Sequence, residues 1–193
     1  MINLSKLILC ALSIFLIQVN SVVSGKEVTD VDQQKINLAV DVLKNYANNK
    51  AISILEGNNY TKKPVTIIFK DLSEVNFSYS KFYAVTATDS DGNLYILINK
   101  NLRNSDERAL ACLIAHESMH CRKNVFDSVD EEIAAHMQEV MLYIKILSDN
   151  ENLKDKTDDV LVNRLNKLKK IYDDAMKAYI TSNSNYVNYL KTK

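Results

Sequence analysis

The chain has 193 residues, 47% hydrophobic and 25% charged, with 24 basic and 24 acidic side chains. That balance suits one globular domain and lacks the basic excess a nucleic-acid-binding surface requires. Three Gly and one Pro exclude collagen-like and Pro-rich architectures and leave no glycine-rich nucleotide loop.

Lys6 precedes an apolar run over residues 7–17. The run has the length of a signal-peptide core, whereas a membrane span needs about 20 apolar residues. Small residues at Ser21, Ser24 and Gly25 place a cleavage point near Ser24. Residues 1–24 therefore read as a signal peptide, and 25–193 as one domain, secreted or periplasmic and without a membrane anchor once cleaved. Export would permit a bridge between Cys112 and Cys121. On one helix, nine residues would separate them by about 13 Å, beyond the roughly 7 Å a disulfide spans. Two free thiols are expected.

Apolar positions Ile36, Ala39, Val40, Leu43 and Tyr46 recur at helical spacing and predict a helix over 31–49. Pro64 then opens a β-branched run, predicting a strand at 65–69. Two further strands are expected at 82–88 and 94–98. The Asp91-Gly92 turn between them predicts an antiparallel hairpin. Asn104 with Glu107, and Ser128 with Glu131, have capping-box spacing, predicting helices over 105–122 and from 129 to about 148. A polar connection over 149–157 leads to a last helix reaching residue 180. Both late helices carry apolar residues at four-three spacing. An intramolecular antiparallel pair is expected, with a homodimer through the C-terminal helix as the alternative.

All three histidines lie within 21 residues, at His116, His120 and His136. The first two frame His116-Glu117-Ser118-Met119-His120, an H-E-x-x-H match inside a predicted helix. A four-residue offset stacks both imidazoles on one helix face, close enough to grip a single ion. Glu117, rotated about 100° from His116, flanks that ion and can take a proton from metal-bound water. A catalytic zinc wants three protein ligands and one open position. A third histidine at the H-E-x-x-H-x-x-G-x-x-H position is excluded, because residue 126 is Phe126 and residue 123 is Lys123. The candidates are Asp127, Asp130, Glu131, Glu132 and His136. Glu131, third in its helix behind Ser128, is expected to reach back to its own helix terminus. Glu132 is then the free carboxylate, with Ala134 and Ala135 small enough to let the helices approach.

His116-Glu-Ser-Met-His120 followed by Asp130-Glu-Glu-Ile-Ala-Ala-His136 resembles the gluzincin branch of the zincin metallopeptidases, and in element order the small minigluzincins. The resemblance spans roughly residues 64–147. It implies an α+β, zincin-like fold: an N-terminal helix, a short three-stranded and mostly antiparallel sheet, the motif helix, a glutamate helix and a long C-terminal helix. Residues 148–193 stand outside it as a C-terminal helical extension. It implies a zinc metallopeptidase with one zinc per chain on His116, His120 and Glu132, Glu117 as catalytic base, and a peptide or protein as substrate. The strand at 94–98 would pair with that substrate. Several gluzincins buttress a zinc-binding histidine with Asp or Asn four residues after the ligand glutamate. This chain has His136 there, as a buttress, an oxyanion donor or a bystander. Tyr83, Tyr95, Tyr143 and His136 are the candidate oxyanion donors. The alternatives are a zinc hydrolase acting on non-peptide substrates, and a non-catalytic exported helical binding protein with a structural metal.

Overall fold

The computed structural model describes residues 17–18, 29–122 and 128–182. Six helices and a small mixed sheet build an α+β architecture. Strand β1 is Ile17–Gln18, β2 Val65–Lys70, β3 Ala84–Thr88 and β4 Leu94–Asn99. The helices are α1 (Asp30–Asn45), α2 (Asn49–Leu55), the single turn α3 (Leu72–Val75), α4 (Glu107–His120), α5 (Val129–Asp149) and α6 (Val160–Ser182).

The sheet order is β1-β3-β4-β2. β3 and β4 form the expected antiparallel hairpin, with Thr86 opposite Ile96. β2, however, runs parallel to β4 from Val65 opposite Leu94 to Lys70 opposite Asn99, so the sheet is mixed rather than mostly antiparallel. The cause is the link from β2 to β3. It contains α3 and a 3-10 turn over Phe77–Lys81, which carry the chain across the sheet so that β3 enters on the far side of β4. β4 is thereby central, and the strand expected to meet a substrate has both edges occupied. Ile17 and Gln18 pair in parallel with Ala87 and Thr88 on the outer side of β3. They fall within the span read as signal peptide; the rest of residues 1–24 lies outside the described residues.

Strand alternation sorts the side chains into two layers. Ile67, Phe69, Leu94, Ile96 and Ile98 join α1 and α4 in the main core. Val85, Ala87 and Leu97 face the other way and are covered by Leu72 and Tyr79 of the crossover segment. α4 is buried at every position from Ala109 to His120. Its stretch Ala109–Ala115 is apolar all round, so no face is left to turn to water. Sheet, α1, α5 and α6 enclose it. Ala135 at 0% exposure lets α5 close on α4. A truncation such as Leu110→Ala, at a position 1% exposed, is expected to cost about 2–5 kcal/mol.

Two boundaries differ from expectation. The first helix breaks at Tyr46, and Asn48 caps a separate α2 by accepting from Ala51 N–H. Ala47 has φ 50°, a left-handed conformation that ends α1. At α4 the cap is Asp106 rather than Asn104; its carboxylate accepts from Arg108 N–H at 2.9 Å. Asp159 caps α6 through Leu161 N–H at 2.8 Å and also takes the Asp106 N–H at 2.6 Å. Lys156 returns the contact to Asp106 at 2.8 Å. The starts of α4 and α6 are thus tied together, and α6 packs against α5 as an antiparallel partner. Among the described residues, no helix is long and apolar enough to cross a membrane.

Candidate metal centre

The last two turns of α4 carry His116, Glu117 and His120, all buried. The first turn of α5 brings Glu131 and Glu132 onto them. His116 Nε2 and His120 Nε2 lie 3.4 Å apart. Glu132 places Oε1 3.6 Å from His120 Nε2 and Oε2 3.8 Å from His116 Nε2. The three residues are close enough for one ion to reach all of them.

Each imidazole has a carboxylate on its other nitrogen. His120 Nδ1 donates to Glu131 Oε1 at 2.7 Å. His116 Nδ1 lies 3.4 Å from Glu139 Oε2, a longer contact that leaves this buried nitrogen without an aligned hydrogen bond. At His120 the Glu131 contact puts the ring proton on Nδ1 and turns the Nε2 lone pair inward, and the Glu139 charge beside His116 Nδ1 favours the same tautomer there. Burial holds His116 below the ordinary imidazole range and, with His116 beside it, pushes His120 down to about 3. Both rings are therefore neutral at physiological pH, the state in which a histidine ligates metal. Two convergent lone pairs and a carboxylate oxygen repel one another unless a cation lies among them. The donor set fits a divalent ion of borderline softness.

Glu117 is 6% exposed. Its Oε2 accepts a hydrogen bond from the Thr86 hydroxyl on β3 at 3.0 Å, which fixes its direction. Burial, reinforced by the nearby Glu132 charge, pushes its carboxyl up to about 8. His116, Glu117, Glu132 and His136 floor a cleft of about 520 Å³. Residues 81–84 form one wall, and the loop before α6 with the first turns of α6 form the other.

Comparison of the chain with protein-family models, with curated proteins and with solved structures found no match. What the site can do thus rests on its own geometry.

That geometry unites His116, His120 and Glu132 as the spacing predicted. It corrects the role given to Glu131: only its backbone N–H serves the cap, meeting Ser128 Oγ at 3.2 Å, while its carboxylate turns to His120. His136 lines the cleft, its Nδ1 3.2 Å from Glu139 Oε2 and its ring centre 4.6 Å from that of His116. The carboxylate beneath His116 is Glu139, so His136 is not its buttress. Of the candidate oxyanion donors, Tyr143 is buried with its hydroxyl on Asn166, and Tyr95 donates to Asp89. Tyr83 and His136 are the two that line the cleft. Asp127 lies outside the described residues. Cys112 and Cys121 are buried free thiols.

Thr86, Glu139 and Arg164 escaped the sequence reading. Glu139 is fully buried, and Arg164 from α6 forms a two-nitrogen ion pair with it, one contact at 2.9 Å. The available signals were weak. Glu139 stands seven residues after Glu132, two turns along the same face, and Arg164 lies beside the apolar stripe of Leu161, Leu165 and Leu168. His116, His136 and Glu139 also form a metal-sized group. There the Arg164 guanidinium already supplies the positive charge.

Proposed function

We propose that this protein is an exported zinc metallopeptidase of the zincin type, with one zinc on His116, His120 and Glu132. One observation carries the reading: two buried imidazole Nε2 atoms 3.4 Å apart face a carboxylate on the floor of a cleft, with Glu117 beside them. Its support is the H-E-x-x-H spacing together with a glutamate arriving from the next helix. When bound, zinc supplies Lewis acidity toward a water molecule and the substrate carbonyl.

The protein's own groups do the rest. Glu131 and Glu139 hold the ring protons of His120 and His116 on Nδ1. Thr86 anchors Glu117 Oε2; a cation held by the neighbouring donors would favour the ionised carboxylate, whose Oε1 is then left to accept a proton from the attacking water and pass it to the leaving amine. Tyr83 and His136 both line the cleft and are the candidates to meet the carbonyl oxygen. The apolar run at residues 7–17 supports export. Cleavage of the span read as signal peptide would remove Ile17 and Gln18 from Ala87 and Thr88 and open the outer edge of β3, which leads into the cleft wall, to an extended peptide.

Digestion of a peptide library by the purified protein, with and without a chelator, tests the proposal. Chelator-sensitive cleavage that Glu117→Gln abolishes is the expected result. Bound zinc with no turnover of peptides would favour a structural metal or a non-peptide substrate.

A further inference from the structure

The Arg164–Glu139 pair is expensive in isolation. Glu139 has 0% side-chain exposure and Arg164 15%. Taking two charges out of water costs several kcal/mol per ion, and a hydrophobic pair often serves stability as well. Retaining it points to work beyond packing. The Glu139 carboxylate meets three partners from three directions: Arg164 by two nitrogens, His136 Nδ1 at 3.2 Å and His116 Nδ1 at 3.4 Å. The Arg164 guanidinium also sits over the Tyr83 ring, 5.0 Å from its centre, and so touches the opposite cleft wall.

We propose that Arg164 and Glu139 are positioning residues of the metal centre, and that α6 is a working part of the site rather than an appended extension; this rests on the metallopeptidase reading above. The guanidinium fork fixes both oxygens of Glu139, which a point charge such as Lys would not do. So fixed, the carboxylate sets the ring orientation and the tautomer of His116 and holds His136 toward the cleft. The Asp106 N–H donated to Asp159, with the Lys156–Asp106 contact, locks the register of α6 against α4 and sets the reach of Arg164.

The test compares Arg164→Gln, Arg164→Lys and the double variant Glu139→Gln/Arg164→Gln with the parent protein. Zn²⁺ affinity is measured by competition with a chromophoric chelator, Co²⁺ coordination by its visible spectrum, and folding by urea unfolding. Loss of a carboxylate partner to a metal-bound histidine typically lowers metal affinity about 10–100-fold, and a loss of that size is expected for Arg164→Gln. Arg164→Lys should fall between the two. The double variant has no uncompensated buried charge, so it should regain stability over Arg164→Gln while keeping the weakened affinity and an altered Co²⁺ spectrum. Parent-like Zn²⁺ affinity and Co²⁺ spectrum in the folded double variant would overturn the proposal, leaving the pair a structural role. Failure of the parent protein itself to bind Zn²⁺ or Co²⁺ would overturn the metal reading and this proposal together.

Discussion

At the scale of single residues, the site separates groups that would hold an ion from a group that would move a proton. Glu117 belongs to the second kind. Glu117→Gln keeps the shape and the Thr86 contact but removes the proton acceptor. It should leave metal content and stability unchanged while peptide hydrolysis falls by about 10²–10⁴-fold, the usual worth of a positioned base. Steady-state turnover alongside metal analysis checks both halves. The adjacent glutamates give a second expectation. Glu132→Ala removes a direct donor and should weaken zinc binding most. Glu131→Ala removes the acceptor on His120 Nδ1, 2.7 Å away, and should cost about 10–100-fold in affinity. Chelator competition on both variants at one pH ranks them. Sequence spacing singled out Glu132, which lies against both histidines, but gave Glu131 a purely local task. A carboxylate at the third helical position can serve its helix through the backbone N–H and another helix through its side chain.

At the scale of elements, α4 is the platform and its N-terminus is the point most open to test. Asp106 caps it and also receives Arg108 at 2.6 Å and Lys156 at 2.8 Å. Burial alone would raise the Asp106 carboxyl, but the Arg108 and Lys156 contacts outweigh it and hold it well below the usual carboxylate range. Its folded pKa is therefore depressed. The folded state binds fewer protons than the unfolded chain, so this stabilisation is complete above an ordinary Asp value of about 4 and is lost as pH falls below it. Asp106→Ala should lose about 0.5–2 kcal/mol at neutral pH. Its stability should also fall less steeply than the parent's between about pH 4 and 2. Urea unfolding of metal-free protein across that range measures both. Equal slopes would show that Asp106 titrates alike in both states. The periodicity of residues 31–49 announced a helix but not its break, because a left-handed Ala47 carries no compositional mark. The crossover of α3 and the 3-10 turn was hidden for a related reason. Short turns are set by local side-chain caps such as Asp71 and Asn76, and these have no period to detect.

At the scale of the molecule, three layers converge on one place. The sheet supplies Thr86, α4 and α5 supply the metal-capable donors, and α6 supplies the cation beneath them. Only the contribution of α4 and α5 was legible in the sequence, because H-E-x-x-H and the Ser128 cap fix local geometry; Thr86 was read as a strand residue with no role at the site. Nor was the third legible: Arg164 meets Glu139 across 25 residues, and only the packing of α6 on α5 brings them together. The central claim is that His116, His120 and Glu132 form one metal site. Zinc content per chain, measured by elemental analysis after loading and exhaustive dialysis, tests it most directly. The account predicts about one zinc per parent chain and none in the folded His116→Ala/His120→Ala variant. A zinc-free parent, or full occupancy in the double variant, would contradict it.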